Sequence, residues 1–383
     1  SSVGLLATSY NFIEKHNQLG GIDGRFRIDP KTVFTFQVLG TTSNRFFFDP
    51  ELGDSVYRKG NALGYSWNYD YTDRNFGYFF EGGGRTRDYR ADVGFTQRTN
   101  NNFTNAFFRF STDPKPKALL ISIRAVNGTF VNYDFQRRMQ GVENFTNVNF
   151  QLARQSFIEV GAARTYERLF EEEFGQKRTL TRAGAFVGDS ERSSGGYTAS
   201  LVVGTTPSKK YSGFIFVGRR FNAFDFDFGA GPKYPRVSPS ALLDADAPLD
   251  PGAGTAKDVQ LSFSYQPTDA FRTSIDYTKA KLVRDDTGRT AFDADIYTLR
   301  ATYQFTRFTF ARARVDYDSL SSGVRGQYLL GWTPNPGTSL YVGYNDDLNI
   351  HGYSPFTGHK EPGFRRNGRT FFIKTSYLFR RSL

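Results

Sequence analysis

The chain has 383 residues, and only 38% of them are hydrophobic. Its mean hydropathy is −0.50, and no run approaches the roughly 18–20 apolar residues of a membrane-spanning helix. The absence of Cys removes disulfide frameworks, thiolate metal sites and Cys nucleophiles together. The formal net charge of +11 comes without any block of five or six like charges, so no basic arm for nucleic acid is present and nucleic-acid binding is not expected. What composition leaves unexplained is an aromatic excess, 40 Phe and 22 Tyr beside 38 Gly.

The chain starts at Ser1 without the basic and apolar regions of a signal peptide. From there on, period two dominates. In 63–71 the odd positions are Leu63, Tyr65, Trp67, Tyr69 and Tyr71, against Gly64, Ser66, Asn68 and Asp70. Segment 258–266 sets Val259, Leu261, Phe263 and Tyr265 against Gln260, Ser262 and Ser264, and 297–305 sets Tyr297, Leu299, Ala301 and Tyr303 against Thr298, Arg300 and Thr302. One face is apolar with aromatic ends; the other is small, polar or charged.

The spacing predicts 18 strands, at about 3–12, 19–29, 32–41, 60–71, 75–84, 102–112, 118–138, 144–153, 156–168, 196–205, 211–228, 257–266, 270–284, 291–305, 307–318, 323–333, 338–347 and 368–380. Their connections alternate. Short turns rich in Pro, Asp and Gly, such as DPKT (29–32) and TPNPGT (333–338), take turns with a mostly longer set that includes 42–59, 169–195, 229–256 and 348–367. Two members of that set, 139–143 and 319–322, are no longer than a turn. Asn127-Gly128 is a hairpin signal, yet Leu119, Ile121, Ile123, Ala125, Val131 and Tyr133 hold one parity across it, which predicts a single long strand. In 307–316 the parity of Phe308 and Phe310 conflicts with that of Ala311, Ala313 and Val315, which predicts a bulge.

An even strand count, short turns on one side, longer loops on the other and aromatic-ended apolar faces are the marks of an all-β, transmembrane antiparallel up-and-down β-barrel. The expected setting is a bacterial outer membrane, with lipid and lipopolysaccharide around the barrel, short turns and both termini periplasmic, and long loops extracellular. Low hydropathy follows, because only alternate residues face lipid. Soluble β-sandwich arrays and propellers share the period but not two alternating sets of connections.

Several segments carry a family likeness: SSVGLLATS (1–9), YRADVGFTQR (89–98), FDFDFGAGPKYPRVSPSALL (224–243), YQFTRFTFARARVDYDS (303–319), GWTPNPGTSLYVGYND (331–346) and FFIKTSYLFR (371–380). In these the chain resembles an uncharacterised family of bacterial outer-membrane β-barrel proteins whose members carry a carbohydrate-binding-like domain ahead of a C-terminal barrel. The resemblance implies a barrel and assigns no chemistry. Such a domain is absent from these 383 residues, and the resemblance implies further strands ahead of the segment at 1–9. The ending Arg380-Arg381-Ser382-Leu383 after Phe379 also departs from the aromatic terminus common in such barrels.

Chemistry-bearing motifs are sparse. His351 and His359 share one loop without HExxH spacing; no GxSxG elbow occurs; and Gly82-Gly83-Gly84 precedes no helix. Glu171, Glu172 and Glu173, and Asp244, Asp246 and Asp250, are acidic loop runs read as solvated rather than as Ca²⁺ sites. No enzyme activity, metal or cofactor is expected. The candidate functional residues are those predicted to line the lumen: Arg25, Arg27, Arg124, Glu159, Arg272, Asp276, Arg300, Arg312, Arg314, Asp316 and Lys374. An Arg-weighted lining favours anions, and Arg with Asn, Gln and Tyr also suits saccharide or carboxylate ligands. Two alternatives stand beside a pore for small polar solutes. One is a plugged interaction barrel that uses its long loops to hold a protein partner or an N-terminal domain. The other is a membrane-embedded hydrolase.

Overall fold

The computed structural model describes residues 1–92, 98–354 and 357–378. It contains 18 strands: β1 (Ser2–Phe12), β2 (Lys15–Asp29), β3 (Thr32–Asp49), β4 (Asp54–Thr72), β5 (Phe76–Arg85), β6 (Asn101–Ser111), β7 (Leu120–Tyr133), β8 (Met139–Leu152), β9 (Ser156–Phe170), β10 (Glu191–Ser208), β11 (Tyr211–Asp225), β12 (Gly252–Thr268), β13 (Phe271–Arg284), β14 (Thr290–Gln304), β15 (Thr309–Asp318), β16 (Gly323–Asn335), β17 (Thr338–Ile350) and β18 (Phe364–Tyr377). The only α-helix among the described residues is one short turn, α1 (Pro239–Leu243). Among the described residues no helix is long and apolar enough to cross a membrane.

Every ladder is antiparallel and joins strands consecutive in sequence, from β1–β2 through β9–β10 to β17–β18. The sheet is therefore an up-and-down meander. Eight connections form a turn side, for example Pro30-Lys31 and Lys209-Lys210, and the other nine form a loop side.

The alternating faces come from the pleat. On β12–β14 the outward residues Leu261, Ile275 and Leu299 are 39–50% exposed and lie between two aromatic levels. Tyr277, Tyr297 and Tyr317 form the upper level, with ring centroids 4.8 and 6.2 Å apart. Near the turns, Tyr211 and Tyr265 pair at 5.2 Å and Tyr303 meets Phe305 at 4.9 Å. This is the girdled apolar band of a transmembrane barrel.

Several expected boundaries shift, most of them for one reason. On the loop side, strands continue past the band, where lipid no longer imposes the apolar parity that marks them. The expected loop 42–59 is the end of β3 and the start of β4, joined by residues 50–53; the loop 13–18 shrinks to 13–14. The loop placed at 139–143 lies instead at 134–138, where Asp134 caps the turn by accepting from the Arg138 backbone at 2.8 Å. β7 runs unbroken through Asn127-Gly128, as its parity predicts. The bulge expected in 307–316 is absent. The β14–β15 register is continuous, Phe308 sits in the turn, and Phe310 pairs with Gln304 on the inner face. Residues 379–380, the expected end of β18, lie outside the described residues, as do 93–97 and 355–356.

Candidate functional site

The inner wall of β12–β15 gathers six of the predicted lining residues. Cross-strand register places Arg300 beside Arg314, Thr298 beside both Asp276 and Asp316, and Thr302 between Arg272 and Arg312. Ser262 Oγ donates to Asp276 at 2.6 Å, and Arg300 forms an ion pair with the same carboxylate. Thr298 donates to Asp316 at 2.5 Å, and Arg314 Nε lies 3.0 Å from Asp316 Oδ1. Two Asp thus serve Arg300 and Arg314. Arg272 and Arg312 have no carboxylate partner among the described residues; Arg312 instead lies 4.7 Å from the Phe310 ring. Within this patch of six residues four cations stand against two anions, all on strands rather than loops; Asp258 on the same face of β12 is paired with Arg220 of β11.

The other five lining residues are dispersed. Arg25 and Arg27 sit on β2, exposed and opposite Thr35 and Val33 of β3. Arg124 is exposed on β7 opposite Asn149. Glu159 on β9 accepts from Asn149 at 3.3 Å. Lys374 lies on β18 opposite Tyr341. The structure does not bring these five together.

Sequence parity missed an aromatic part of the interior. Phe79, Phe107, Phe130 and Phe145 share a face of β5–β8, with centroids 5.3–5.8 Å apart along the chain of contacts. That face also holds Glu81, which accepts from Asn105 at 2.7 Å. The reason lies in register: Phe145 is directly opposite Gly128, and its ring covers the glycine so closely that a β-carbon there would collide with it. Phe310 covers Gly331 in the same manner. A ring laid flat over a cross-strand glycine fills the gap that the missing side chain leaves. Only paired strands reveal this signal; a single strand does not.

Above the band, the loop ends enclose a cavity of about 990 Å³. Phe48 at the end of β3 and Pro50 of the β3–β4 connection form one side, Glu173 and Lys177 of the β9–β10 loop another, and Phe226 and Phe228 of the β11–β12 loop a third. The β9–β10 loop crosses toward β3–β4, where Arg182 donates to the carbonyls of Leu52 (2.7 Å), Glu51 (2.6 Å) and Pro50 (3.2 Å). Lys177 adds an ion pair to Glu51 at 2.8 Å.

The expected solvated acidic run is not free. Glu171 is fully buried against Arg178, Glu172 pairs with Arg138 at 2.7 Å, and Glu173 pairs with Arg98 at 2.6 Å. In the second run Asp250 meets Arg192 at 3.4 Å, while Asp244 and Asp246 stay exposed. No group of three or more His, Cys, Asp or Glu among the described residues is disposed to hold a metal ion. His351 accepts a backbone bond from Gly363 at 2.9 Å, a structural role within its loop.

Two charges in the cavity stand apart. Arg90 has no carboxylate within bonding distance among the described residues; its guanidinium lies 5.2 Å from the Phe47 ring and donates to the Tyr89 carbonyl at 2.7 Å. Burial, then the nearby Arg45, lowers its pKa. Glu167, at the loop end of β9, is pushed up by burial despite the opposing pull of Arg98. Its side chain meets water yet is walled in on several sides, as a lumen position requires.

The β11–β12 loop, the longest, folds onto the inner side of the wall. Its Val237 packs on Ala256, Leu282 and Ala291. Fully buried Arg284 joins Asp225 (3.0 Å), Asp286 (2.6 Å) and the Asp250 carbonyl (3.1 Å). Within the loop, Asp227 is the hub: one oxygen accepts from Arg236, Ser238 and the Asp250 backbone.

No family model matches the chain, and no curated protein sequence matches it. Solved structures do. The copper transporter OprC is similar at 10% identity, over 94% of this chain and 62% of its own length, with a TM-score of 0.53. The ferric enterobactin receptor PfeA from Pseudomonas aeruginosa matches at 9% identity over 97% of this chain and 71% of its own, with a TM-score of 0.39. The ferric yersiniabactin uptake receptor FyuA from Yersinia pestis matches at 8% identity over 94% and 62%, with a TM-score of 0.45. At such identities the likeness concerns the fold. Meander, girdles and the match to OprC agree: the fold is a transmembrane antiparallel up-and-down β-barrel of the outer-membrane class.

Proposed function

We propose that the chain is an outer-membrane uptake barrel for small polar solutes with a preference for anions, its turn side and both termini periplasmic. The carrying observation is the inner wall of β13–β15, where Asp276 and Asp316 pair with Arg300 and Arg314 and no carboxylate among the described residues pairs with Arg272 or Arg312. Rings or patches of one sign set the selectivity of a pore. Arg90 at the outer cavity continues that sign toward the mouth. A saccharide bearing a carboxylate or phosphate fits the same donors. Residence in an outer membrane, contact with its lipid and lipopolysaccharide, and membership of the uncharacterised barrel family belong to this reading. The family assignment rests on the segments quoted above.

Planar-bilayer recording tests it. The expected result is stepwise conductance with a reversal potential shifted toward the anion, and a smaller shift in the Arg272→Gln/Arg312→Gln double variant. A protein that inserts fully and never conducts would sink the proposal.

The second reading, an interaction barrel, has one observation in its favour: the β9–β10 and β11–β12 loops are tied down by ion pairs into an ordered outer surface. Silence in the bilayer together with a stoichiometric protein partner at those loops would favour it.

A further inference from the structure

On β9–β12 the outward face changes character abruptly toward the loop side. Cross-strand register aligns Val160, Leu201, Val217 and Val259 in one outward row. Val160, Leu201 and Val217 are 38–49% exposed, as a lipid face requires. One pleat nearer the loops the next row reads Ala162, Ala199, Arg219, Lys257 and Lys281. A further pleat on, Arg164, Tyr197 and Phe221 stand side by side. The face turns from apolar to cationic within one two-residue step, about 7 Å along the strand.

Some outward cations at this height are answered by carboxylates. Lys281 meets Asp293 at 3.1 Å, and Lys279 meets Asp293 at 2.6 Å and Asp295 at 3.0 Å. Arg164, Arg219 and Lys257 are exposed and make no ion pair among the described residues. Arg219 and Lys257 are nevertheless directly opposite each other, which sets their β-carbons about 5 Å apart, where like charges repel. Both arginines rest on rings: the Arg219 guanidinium lies 4.6 Å from the Phe221 centroid, and that of Arg164 lies 5.9 Å from Tyr197. A guanidinium held this way keeps N–H donors free for an anion.

We propose that this patch binds a phosphorylated lipid of the outer leaflet. Its phosphate sits between Arg219 and Lys257 with Arg164 on the flank, and its acyl chains lie along Val160, Leu201, Val217 and Val259. The inference rests on the outer-membrane residence proposed above and gives the lipid contact a site. Three observations choose a lipid. The apolar row runs directly beneath the cations, so one amphiphile meets both. Ala162 and Ala199 end at the β-carbon and leave room for a headgroup beside Arg219. The cations also point away from the lumen, on the opposite side of the sheet from the Arg220–Asp258 pair, so a solute in transit does not meet them. A phosphomonoester carries about two negative charges at pH 7, enough to neutralise the facing pair.

The test uses the folded 383-residue barrel in zwitterionic detergent. It is titrated with lipid A, the phosphorylated glucosamine lipid of lipopolysaccharide, with the same lipid after phosphatase treatment, and with inorganic phosphate. Native mass spectrometry reads binding, and the melting temperature reads its effect on the fold. Lipid A is expected to bind and raise the melting temperature, less so at high salt. The dephosphorylated lipid should bind at least tenfold more weakly. Arg219→Gln/Lys257→Gln should lose at least tenfold in lipid A affinity, whereas Lys59→Gln, at an exposed outward cation on β4, should bind as the parent does. In lipid-free detergent the double variant should melt no lower than the parent, because it removes a like-charge contact, and this separates lost binding from lost folding. Conductance tests the uptake reading separately: a barrel that never conducts but binds lipid A through this pair leaves the site standing. Equal lipid A affinity in the parent and the double variant overturns the proposal. So does equal binding of the dephosphorylated lipid, or full displacement of lipid A by millimolar inorganic phosphate, which would reassign the patch to free anions.

Discussion

Glu171 is buried to its last atom, and Arg178 holds both its carboxylate oxygens, with Nη2 at 2.8 Å and Nε at 3.0 Å. The Arg178 backbone N–H adds a bond at 2.9 Å. This pair anchors the β9–β10 loop, which roofs the outer cavity. Burial pushes the carboxyl up; the bonds from Arg178 more than offset it and hold the group below the usual carboxylate range.

Loss of that pair therefore loosens the loop locally. Arg178→Ala leaves a buried carboxylate uncompensated, and because Arg178 is itself partly exposed the cost is about 2–3 kcal/mol rather than the full figure for a buried pair. Hydrogen exchange in 171–190 should quicken while the strands stay protected. Acid has the same effect in the intact protein. A depressed carboxyl contributes stability above its unfolded value, about 4.3, and loses it as pH falls through the folded value. Protection of the loop that persists unchanged down to pH 2 would contradict this.

Arg182 is a latch of a different kind, since it grips main-chain carbonyls rather than a carboxylate. Its partners belong to a turn in which Gly53 has φ 73°, a conformation open to glycine. Arg182→Ala removes these three charge-assisted bonds and a fourth to the Lys177 carbonyl at a partly exposed site, worth about 1–2 kcal/mol together. Opening of residues 50–53 and 176–183 should become about tenfold more frequent, and channel noise should rise. Arg182→Lys should restore little, because an ammonium cannot span three carbonyls as a planar fork does.

How much of this was legible beforehand follows from where water reaches. Leu261, Leu299 and Tyr297 sit on a lipid face, so alternation reported their strands and even their direction. At the upper end of β3, Phe46, Phe47 and Phe48 run consecutively; Phe46 and Phe48 are exposed while Phe47 is buried beneath Arg58 and Arg90, so no apolar–polar period marks the ribbon. Loop lengths misled for the same reason. In the lumen, Arg272, Asp276, Arg300, Arg312, Arg314 and Asp316 share one patch because register aligns three neighbouring strands, and parity alone supplies only the side of the sheet. The Phe79–Phe107–Phe130–Phe145 cluster broke the polar-inside rule, since each ring's place depends on a glycine or ring across the ladder. The acidic run at Glu171–Glu173 looked solvated because its Arg partners lie on other loops or seven residues away.

The lipid face offers a direct check on the membrane assignment. Leu299 lies between Tyr297 and Tyr303 on β14 and faces outward. Leu299→Arg should cost about 2–4 kcal/mol in reversible folding into lipid vesicles. Gln260→Arg, on the inner face of β12, should cost far less at a similar height. Equal penalties at the two positions would mean that the faces are not lipid and lumen.

Glu167 gives the cavity a pH dependence. Its carboxyl is pushed up, by burial first and by nearby Glu173 as well, against the pull of Arg98 and Arg220. The folded value exceeds the ordinary one, so the group takes its proton while other exposed carboxylates are still charged. Protonation removes one negative charge from a cavity in which Arg90 has no carboxylate partner among the described residues, so the local potential becomes more positive. Anion preference should therefore rise as the pH on the loop side is lowered through the range above about 4.3, before the bulk of the carboxylates titrate. Glu167→Gln should show the high preference at neutral pH and lose that early step. A raised carboxyl also means that its charged form opposes folding, so the same variant should be neutral or slightly stabilising at pH 7. Selectivity recorded against loop-side pH for both proteins decides it; superimposable curves would remove Glu167 from the path of the ions.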